Sequence, residues 1–278
     1  MVVHRANEFE PQPQELTMTL LGAYVVPHDQ LVWSGGLVAL LGEFGFSSGG
    51  ARVALARMVR RGRLERVKDG RRAWYRPTSG TVALLEEGDR RIFSLGRRPY
   101  DDTLWTVLWH AIPGELRVER GRLGRRLRFL GFGSVQDGMW ITPHDREREV
   151  GELIEELQIG EHAGVLLGRP AASLDFRAFA SRAWDLDALG ARYRAFVDEF
   201  APFATVDARR RLDDREAFLV RTRLVHVFRR FPALDPELPD ELIPAPRHRA
   251  DAVALFHELY QRLASAAKRH FDAVTTAP

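Results

Sequence analysis

The residues Gly45-Phe46-Ser47-Ser48-Gly49 fit the G-x-S-x-G template, in which a serine on a strained strand-to-helix turn becomes a nucleophile. That chemistry needs a buried strand immediately before the serine. The preceding residues instead repeat apolar side chains at Val38, Leu41 and Phe44, with Leu37 and Leu40 beside them, and Gly42 stands where a helix would be capped. A catalytic serine also needs a histidine and an acid in reach, and nothing in the spacing of the nine histidines supplies them. The chain has no cysteine, so thiolate catalysis, disulfides and Cys-ligated metals are excluded. His226, His257 and His270 are unsuitably spaced for a metal, and Walker A, H-E-x-x-H, EF-hand and G-x-G-x-x-G motifs are absent. We therefore expect no enzyme, no metal and no cofactor.

The same stretch opens a concentration of charge. From Ser47 to Arg76 nine Arg and one Lys stand against Glu65 and Asp69, a net +8 in a chain of +3, which leaves −5 on the remainder. A basic island on a mildly acidic body points to a polyanionic partner at one place, because neutralising phosphates releases counterions. Lysine occurs only at positions 68 and 268, so a lone Arg carries little weight here and clustering carries more. No apolar run reaches the length of a membrane span, and MVVHRANEFEPQPQ reads as a polar arm without a hydrophobic core, so a cytoplasmic location is expected.

The elements that must position these charges follow from periodicity. Leu16 to Val25 is expected as a first helix with Leu16, Leu20, Leu21 and Tyr24 on one face, stopped near Pro27. A second spans the region of Gly35 to Leu41, and Gly45-Phe46 turns into a third, capped by Ser47 or Ser48. In that third helix Ala51, Leu55, Met58 and Val59 face inward, while Ser48, Arg52, Val53, Ala56, Arg57 and Arg60 face out. A head of small or polar residues followed by Arg suits a helix lying in the major groove. After Gly62, Leu64–Val67 and Ala73–Arg76 flank the tight-turn residues Asp69-Gly70, which forms a hairpin with Lys68, Arg71 and Arg72 at its tip. Three helices and a hairpin make a winged helix-turn-helix. Its expected DNA contacts are Ser47, Ser48, Arg52, Arg57, Arg60, Arg61, Lys68, Arg71 and Arg72.

A helix over Ser79–Phe93 leads to the loop Gly96–Tyr100, after which the period changes. Thr103–Ile112 reads as a strand, Glu115–Leu130 as a basic amphipathic helix, 131–142 as a strand pair, Arg146–Leu157 as a helix and Ala163–Leu167 as a strand. That βαββαβ order is ferredoxin-like. From Ala171 onward long amphipathic helices are expected over Asp185–Phe200, Asp213–Arg230 and Arg249–Phe271. The fold class is thus α+β, with a winged-helix domain at 1–96, a ferredoxin-like middle domain at 97–170 and a helical C-terminal domain at 171–278.

These blocks resemble the phenylacetic acid degradation repressor (PaaX-like) family of transcriptional regulators. The resemblance runs from Leu16 to Asp272 through LLGAYVVP, VWSGGLVALLGEFGF, ALARMVRRGRLERVKDGRRAWYRPT, RAWDLDALGARYRAFV, FLVRTRLVHVFRRF, LDPELPDELIP and LFHELYQRLASAAKRHFD. It implies a homodimer that binds a double-stranded DNA operator, represses a catabolic operon and is released by an aromatic acyl-coenzyme A such as phenylacetyl-CoA. Gly49-Gly50 departs from the larger polar residues usual at the head of the recognition helix, so that either the target sequence differs or the helix orders only on DNA. For the implied effector, an apolar slot with cations points to Trp105, Trp109, Trp140, Arg192, Tyr193, Arg221 and His226, although Arg221 also has Asp185 or Asp187 as expected partners. Two other readings are a nucleoid-associated or RNA-binding factor without a ligand, and a nuclease through the middle domain. The nuclease lacks an acid on its first strand, which ends His110-Ala111-Ile112-Pro113 with Asp101, Asp102 and Glu115 outside it.

Overall fold

The computed structural model describes residues 12–28, 31–70, 72–97, 104–171, 173, 175–205, 212–240 and 242–277. Residues 1–11 of the expected polar arm, Arg71, Asp101 and Asp102 lie outside them. In chain order the elements are α1 (Pro13–Leu20), β1 (Val32–Trp33), α2 (Ser34–Glu43), α3 (Ser48–Arg60), β2 (Leu64–Asp69), β3 (Arg72–Pro77), α4 (Ser79–Ser94), β4 (Trp105–His110), α5 (Arg117–Phe129), β5 (Gly133–Gln136), β6 (Met139–Thr142), α6 (Glu147–Glu156) and β7 (Ala163–Gly168). Helices follow: α7 (Phe176–Ala183), α8 (Leu186–Phe200), α9 (Asp214–Phe228), the single turn α10 (Phe231–Leu234), α11 (Arg249–Arg262) and α12 (Ala264–Thr275). The helix expected over 249–271 is divided at Leu263, the residue that precedes α12, with φ −88° and ψ −4°.

By internal contact the chain parts into two units. Met1–Phe93, Asp198–Arg229 and Ala254–Pro278 make the first; Ser94–Val197 and Arg230–Val253 make the second. The helices after 171 are therefore distributed over both.

The first unit is built around α1, α2 and α3. Pro13 opens α1, where its missing N–H breaks no helical bond. The helix then continues through a π turn at Leu21–Val25 and a short 3-10 turn at Val26–His28. Leu16, Leu20, Leu21 and Tyr24 are buried with Leu37, Leu40 and Leu41 of α2, Ala51, Leu55 and Met58 of α3, and Phe218, Ala267 and Phe271 of α9 and α12. Tyr24 stacks on Phe271 at 4.9 Å, and its hydroxyl lies 3.0 Å from Thr222. At Gly36 a Cβ would stand 2.6 Å from the Thr275 Cα, so the backbones of α2 and α12 touch there and no larger residue fits. The hairpin β2–β3 forms where expected and sets Val67 opposite Trp74 and Lys68 opposite Ala73, so the strands run on past Val67 and Asp69 pairs with Arg72. A third strand joins it: Val32 and Trp33 of β1 pair with Tyr75 and Trp74.

In the second unit β4, β5, β6 and β7 form one antiparallel sheet in the order β5-β6-β4-β7. Alternation sends Leu108 and Trp140 to one face, where Leu123 and Leu127 of α5 and Val150 and Leu153 of α6 bury them. Trp105 and Ile141 go to the other face, against Phe176 and Ala180 of α7 and Trp184. Along α8 the buried stripe is Leu189, Tyr193, Phe196 and Phe200.

Candidate nucleic-acid interface

The turn between α2 and α3 decides how the arginines of α3 are presented. Gly42, expected as the cap of α2, lies inside the helix; Phe44 is the C-cap, and Gly45 turns the chain at φ +90°, a value that disfavours any side chain. Glu43, at the end of α2, is held by the second and third C-terminal segments of the unit: Arg215 Nε lies 2.9 Å and His270 Nε2 2.8 Å from its carboxylate. Ser47 then caps α3, its Oγ accepting the Gly50 N–H at 3.1 Å. No strand precedes Ser47, whose Oγ instead caps a helix, so the stretch lacks the strand-to-helix turn of a nucleophile elbow.

From Ser48 the helix runs through Gly49 and Gly50 to Arg60. Ala51, Ala54, Leu55 and Met58 are buried, and Val59 is half-buried. Ser48, Arg52, Val53, Ala56, Arg57 and Arg60 are all exposed, so every side chain expected to face out does so. A Cβ at Gly49 would meet nothing within 4 Å, and one at Gly50 only the Ser47 Oγ at 3.2 Å. The head of α3 is thus flat, and packing within the chain does not require it to be. Arg61 at the C-cap reaches Gln14 Oε1 at 3.5 Å.

In the hairpin Lys68 and Arg72 are exposed at the tip end of β2 and β3; Arg71 lies outside the described residues. Arg76 is spent on Glu65, its cross-strand neighbour, at 2.7 Å. Among the cations that remain, Arg52, Arg57, Arg60, Lys68 and Arg72 are exposed and have no carboxylate partner among the described residues. Such a surface takes phosphates and, through Arg, guanine edges.

The residues expected around an effector are placed differently from one another. Arg221 and His226 are buried in the first unit. Arg221 donates from Nε to the Tyr260 carbonyl at 3.1 Å and lies on the rings of Tyr260 and Tyr24 at 4.1 and 5.0 Å, so a carbonyl and two rings hold it in place of the expected Asp185 or Asp187. His226 Nδ1 sits 3.0 Å from the Thr19 hydroxyl. Both side chains are almost wholly withdrawn from solvent. In the second unit Trp105 and Trp140 take opposite faces of the sheet, while Trp109 is 48% exposed. Tyr193 is fully buried, stacked on Phe231 at 4.2 Å, and donates to Asp235 at 2.7 Å; burial and that carboxylate push its phenol far above the ordinary range. Its neighbour Arg192 is half-buried.

At the end of β4 burial lowers the His110 imidazole, with Arg120 acting in the same direction and Asp137 against it. Among the described residues no group of three or more His, Asp or Glu is placed to hold a metal ion, and no helix is long and apolar enough to cross a membrane.

Comparison with known proteins gives one consistent answer. The model of PaaX-like proteins matches residues 12–80, that of the PaaX protein central Cas2-like domain residues 98–179, and that of the PaaX-like protein C-terminal domain residues 184–273. The transcriptional repressor PaaX of Escherichia coli (strain K12) is 28% identical over 273 residues, which cover 96% of this chain and 85% of that protein. A solved structure of an uncharacterized protein from Mycobacterium tuberculosis superposes with a TM-score of 0.57 at 24% identity, over 96% of this chain and 100% of the other, and shares its fold. The chain belongs to the PaaX-like family.

Proposed function

We propose that the protein is a DNA-binding transcriptional repressor that docks through α3 and the β2–β3 hairpin. On this reading the first unit carries a winged helix-turn-helix: α3 is the recognition helix and the hairpin the wing, with β1 as the short third strand. The sheet order β5-β6-β4-β7, flanked by α5 and α6, supports a ferredoxin-like middle domain. One observation carries the assignment: α3 has a capped, flat head that nothing inside the chain needs, followed by exposed Arg52, Arg57 and Arg60. A helix of that design approaches base edges closely and still reaches phosphates. Similarity to a transcriptional repressor supports the same reading.

The finer reading is a cytoplasmic homodimer that represses an aromatic-compound catabolic operon and releases DNA on binding an acyl-CoA. Trp109 and Leu166, 48% and 61% exposed, lie on one face of the sheet because Trp109 opposes Gly164 and Val107 opposes Leu166; we assign this apolar strip to the contact with a second copy.

Binding of the protein's own promoter fragment, followed by fluorescence anisotropy against a random duplex, tests the function. Arg52→Ala is expected to weaken promoter binding by about 1–3 kcal/mol and to narrow the gap between promoter and random DNA, whereas Arg72→Ala weakens both alike. Parent-like binding by both variants removes the assignment. Calorimetry with phenylacetyl-CoA and with free CoA tests the effector, and equal absence of heat from both removes it.

A further inference from the structure

Many arginines on the other helices of the described chain are matched to acids. Arg90 pairs with Glu87, Arg146 with Glu149, Arg148 with Glu152, Arg262 with Glu258 and Arg269 with Asp214. Helix α5, RVERGRLGRRLRF, breaks this pattern with six Arg and one Glu in a single helix. Its inner face is Leu123, Gly124 and Leu127, packed on the sheet. All six arginines are exposed. Asp137 engages Arg120, and Arg128 lies over the Trp140 ring at 5.2 Å. No carboxylate among the described residues pairs with Arg117, Arg122, Arg125 or Arg126.

This arrangement is costly for a helix that only needs to stay solvated. Arg122 and Arg126 are four apart; Arg117 and Arg120, Arg122 and Arg125, and Arg125 and Arg128 are three apart, spacings at which like charges repel. The acidic helix α6 covers the same face of the sheet and bonds its Arg148 to Glu152, so local alternation was open to this surface. At the centre of the exposed arc of α5 stand Gly121 and Val118, with Arg on both flanks, which leaves room for a broad anionic surface to come close.

We propose that α5 is a second phosphate-gripping surface that holds the backbone of duplex DNA without reading its sequence. The proposal rests on the DNA-binding reading above and assigns to the middle domain a share of the affinity. Duplex DNA fits the site because it supplies closely spaced charges along a surface wide enough to meet Arg122, Arg125 and Arg126, which share one side of the helix.

The test uses the full chain and a fluorescein-labelled duplex of random sequence, titrated across a series of salt concentrations. The triple variant Arg122→Gln, Arg125→Gln, Arg126→Gln is compared with the parent and with Arg57→Ala in α3. Each phosphate contact contributes about 0.9 to the slope of log affinity against log salt, so the triple variant is expected to flatten that slope by about 2 to 3. Its thermal midpoint is expected to stay level or rise, since like-charge neighbours are removed. An unchanged slope in the triple variant, with a flattened slope in Arg57→Ala, overturns the role of α5 and leaves the role of α3 intact. A parent that ignores the duplex at low salt overturns both. A slope unchanged while sedimentation shows an altered oligomeric state assigns α5 instead to the acidic α6 of a second copy and also overturns the proposal.

Discussion

Helices α3 and α5 both present exposed arginines that have no carboxylate partner among the described residues, yet they are built on different plans. In α3 the exposed Arg52, Arg57 and Arg60 are separated by Val53 and Ala56 and preceded by two glycines, so the helix is slim where it leads. In α5 arginines crowd the whole exposed arc, and Gly121 lies in its middle rather than at its head. A slim head suits entry into a groove, where discrimination comes from a few side chains at base edges; a crowded arc suits a surface that meets charge and ignores sequence. The contrast separates two tasks that a total net charge of +3 conceals.

The largest effect that can break this contrast comes from exchanging the tests. The double variant Arg52→Ala, Arg57→Ala is expected to lose roughly 2–5 kcal/mol of promoter affinity and most of the preference for promoter over random duplex. The α5 triple variant weakens both DNAs by the same factor. Competition binding with the two duplexes measures both ratios, and a promoter preference reduced equally by the two sets of substitutions would erase the distinction.

The next effect concerns what holds α3 in place. Gly36 lies where α2 touches the backbone of α12, and Glu43 joins α2 to Arg215 and His270. Gly36→Ala is expected to cost about 1–3 kcal/mol of stability through overpacking, and promoter binding falls with it because the turn into α3 loses its support. Gly121→Ala in α5 meets only Arg125 at 3.6 Å and carries no such cost. Urea unfolding of the two variants side by side checks this, and equal stabilities would sever α3 from the C-terminal helices.

How much of this could be read from residues alone follows the range of the interactions. The cap at Ser47, the inward and outward faces of α3 and the hairpin about Gly70 depend on neighbours a few positions apart, and they stand where periodicity puts them. Strand β1 has two residues, too few to show alternation, and exists because β3 offers an edge. The stripes of α9 and α12 announce a buried face but not its partner; that Phe218 and Phe271 meet Tyr24 is a contact across roughly the whole chain. The effector set rests on residue type, and type does not say which face of a sheet a Trp takes or that Arg221 stacks between tyrosines.

Two acids extend the contrast between the units to pH. Asp89 of α4 is half-buried, and burial pushes its carboxyl up from 3.8 to about 6 against the pull of Arg229 and Arg221, with Glu86 adding to the rise. In the folded state it holds its proton to higher pH than in the unfolded state, so its contribution to stability falls as pH rises from about 4 to about 6 and is level above. Asp89→Asn is expected to stabilise the protein at pH 7 by about 1 kcal/mol, a value discounted for partial exposure, and to have no effect near pH 4. Asp137 beside α5 behaves in the opposite sense, since the hydrogen bond and charge of Arg120 hold its carboxyl below the ordinary range. Its contribution is present at neutral pH and is lost as pH falls through that lowered value. Unfolding curves at the two pH values decide the sign for Asp89, and a gain that persists unchanged at pH 4 would refute it.

The smallest effect is the most informative about design. Two glycines at the head of a helix cost it roughly 1 kcal/mol each relative to Ala. At Gly49 nothing in the chain would meet a methyl group, so folding alone favours alanine there. Gly49→Ala is therefore expected to raise the unfolding free energy by roughly 0.5–1 kcal/mol while reducing promoter affinity, because the added methyl stands where α3 must approach base edges. Gly121→Ala in α5 is expected to give the same stability gain with DNA binding unaltered, since long Arg side chains reach phosphates past a methyl group. Thermal denaturation and promoter competition on the pair measure both quantities. If Gly49→Ala binds the promoter as well as the parent does, the flat head of α3 serves no reading function, and the two helices differ in crowding alone.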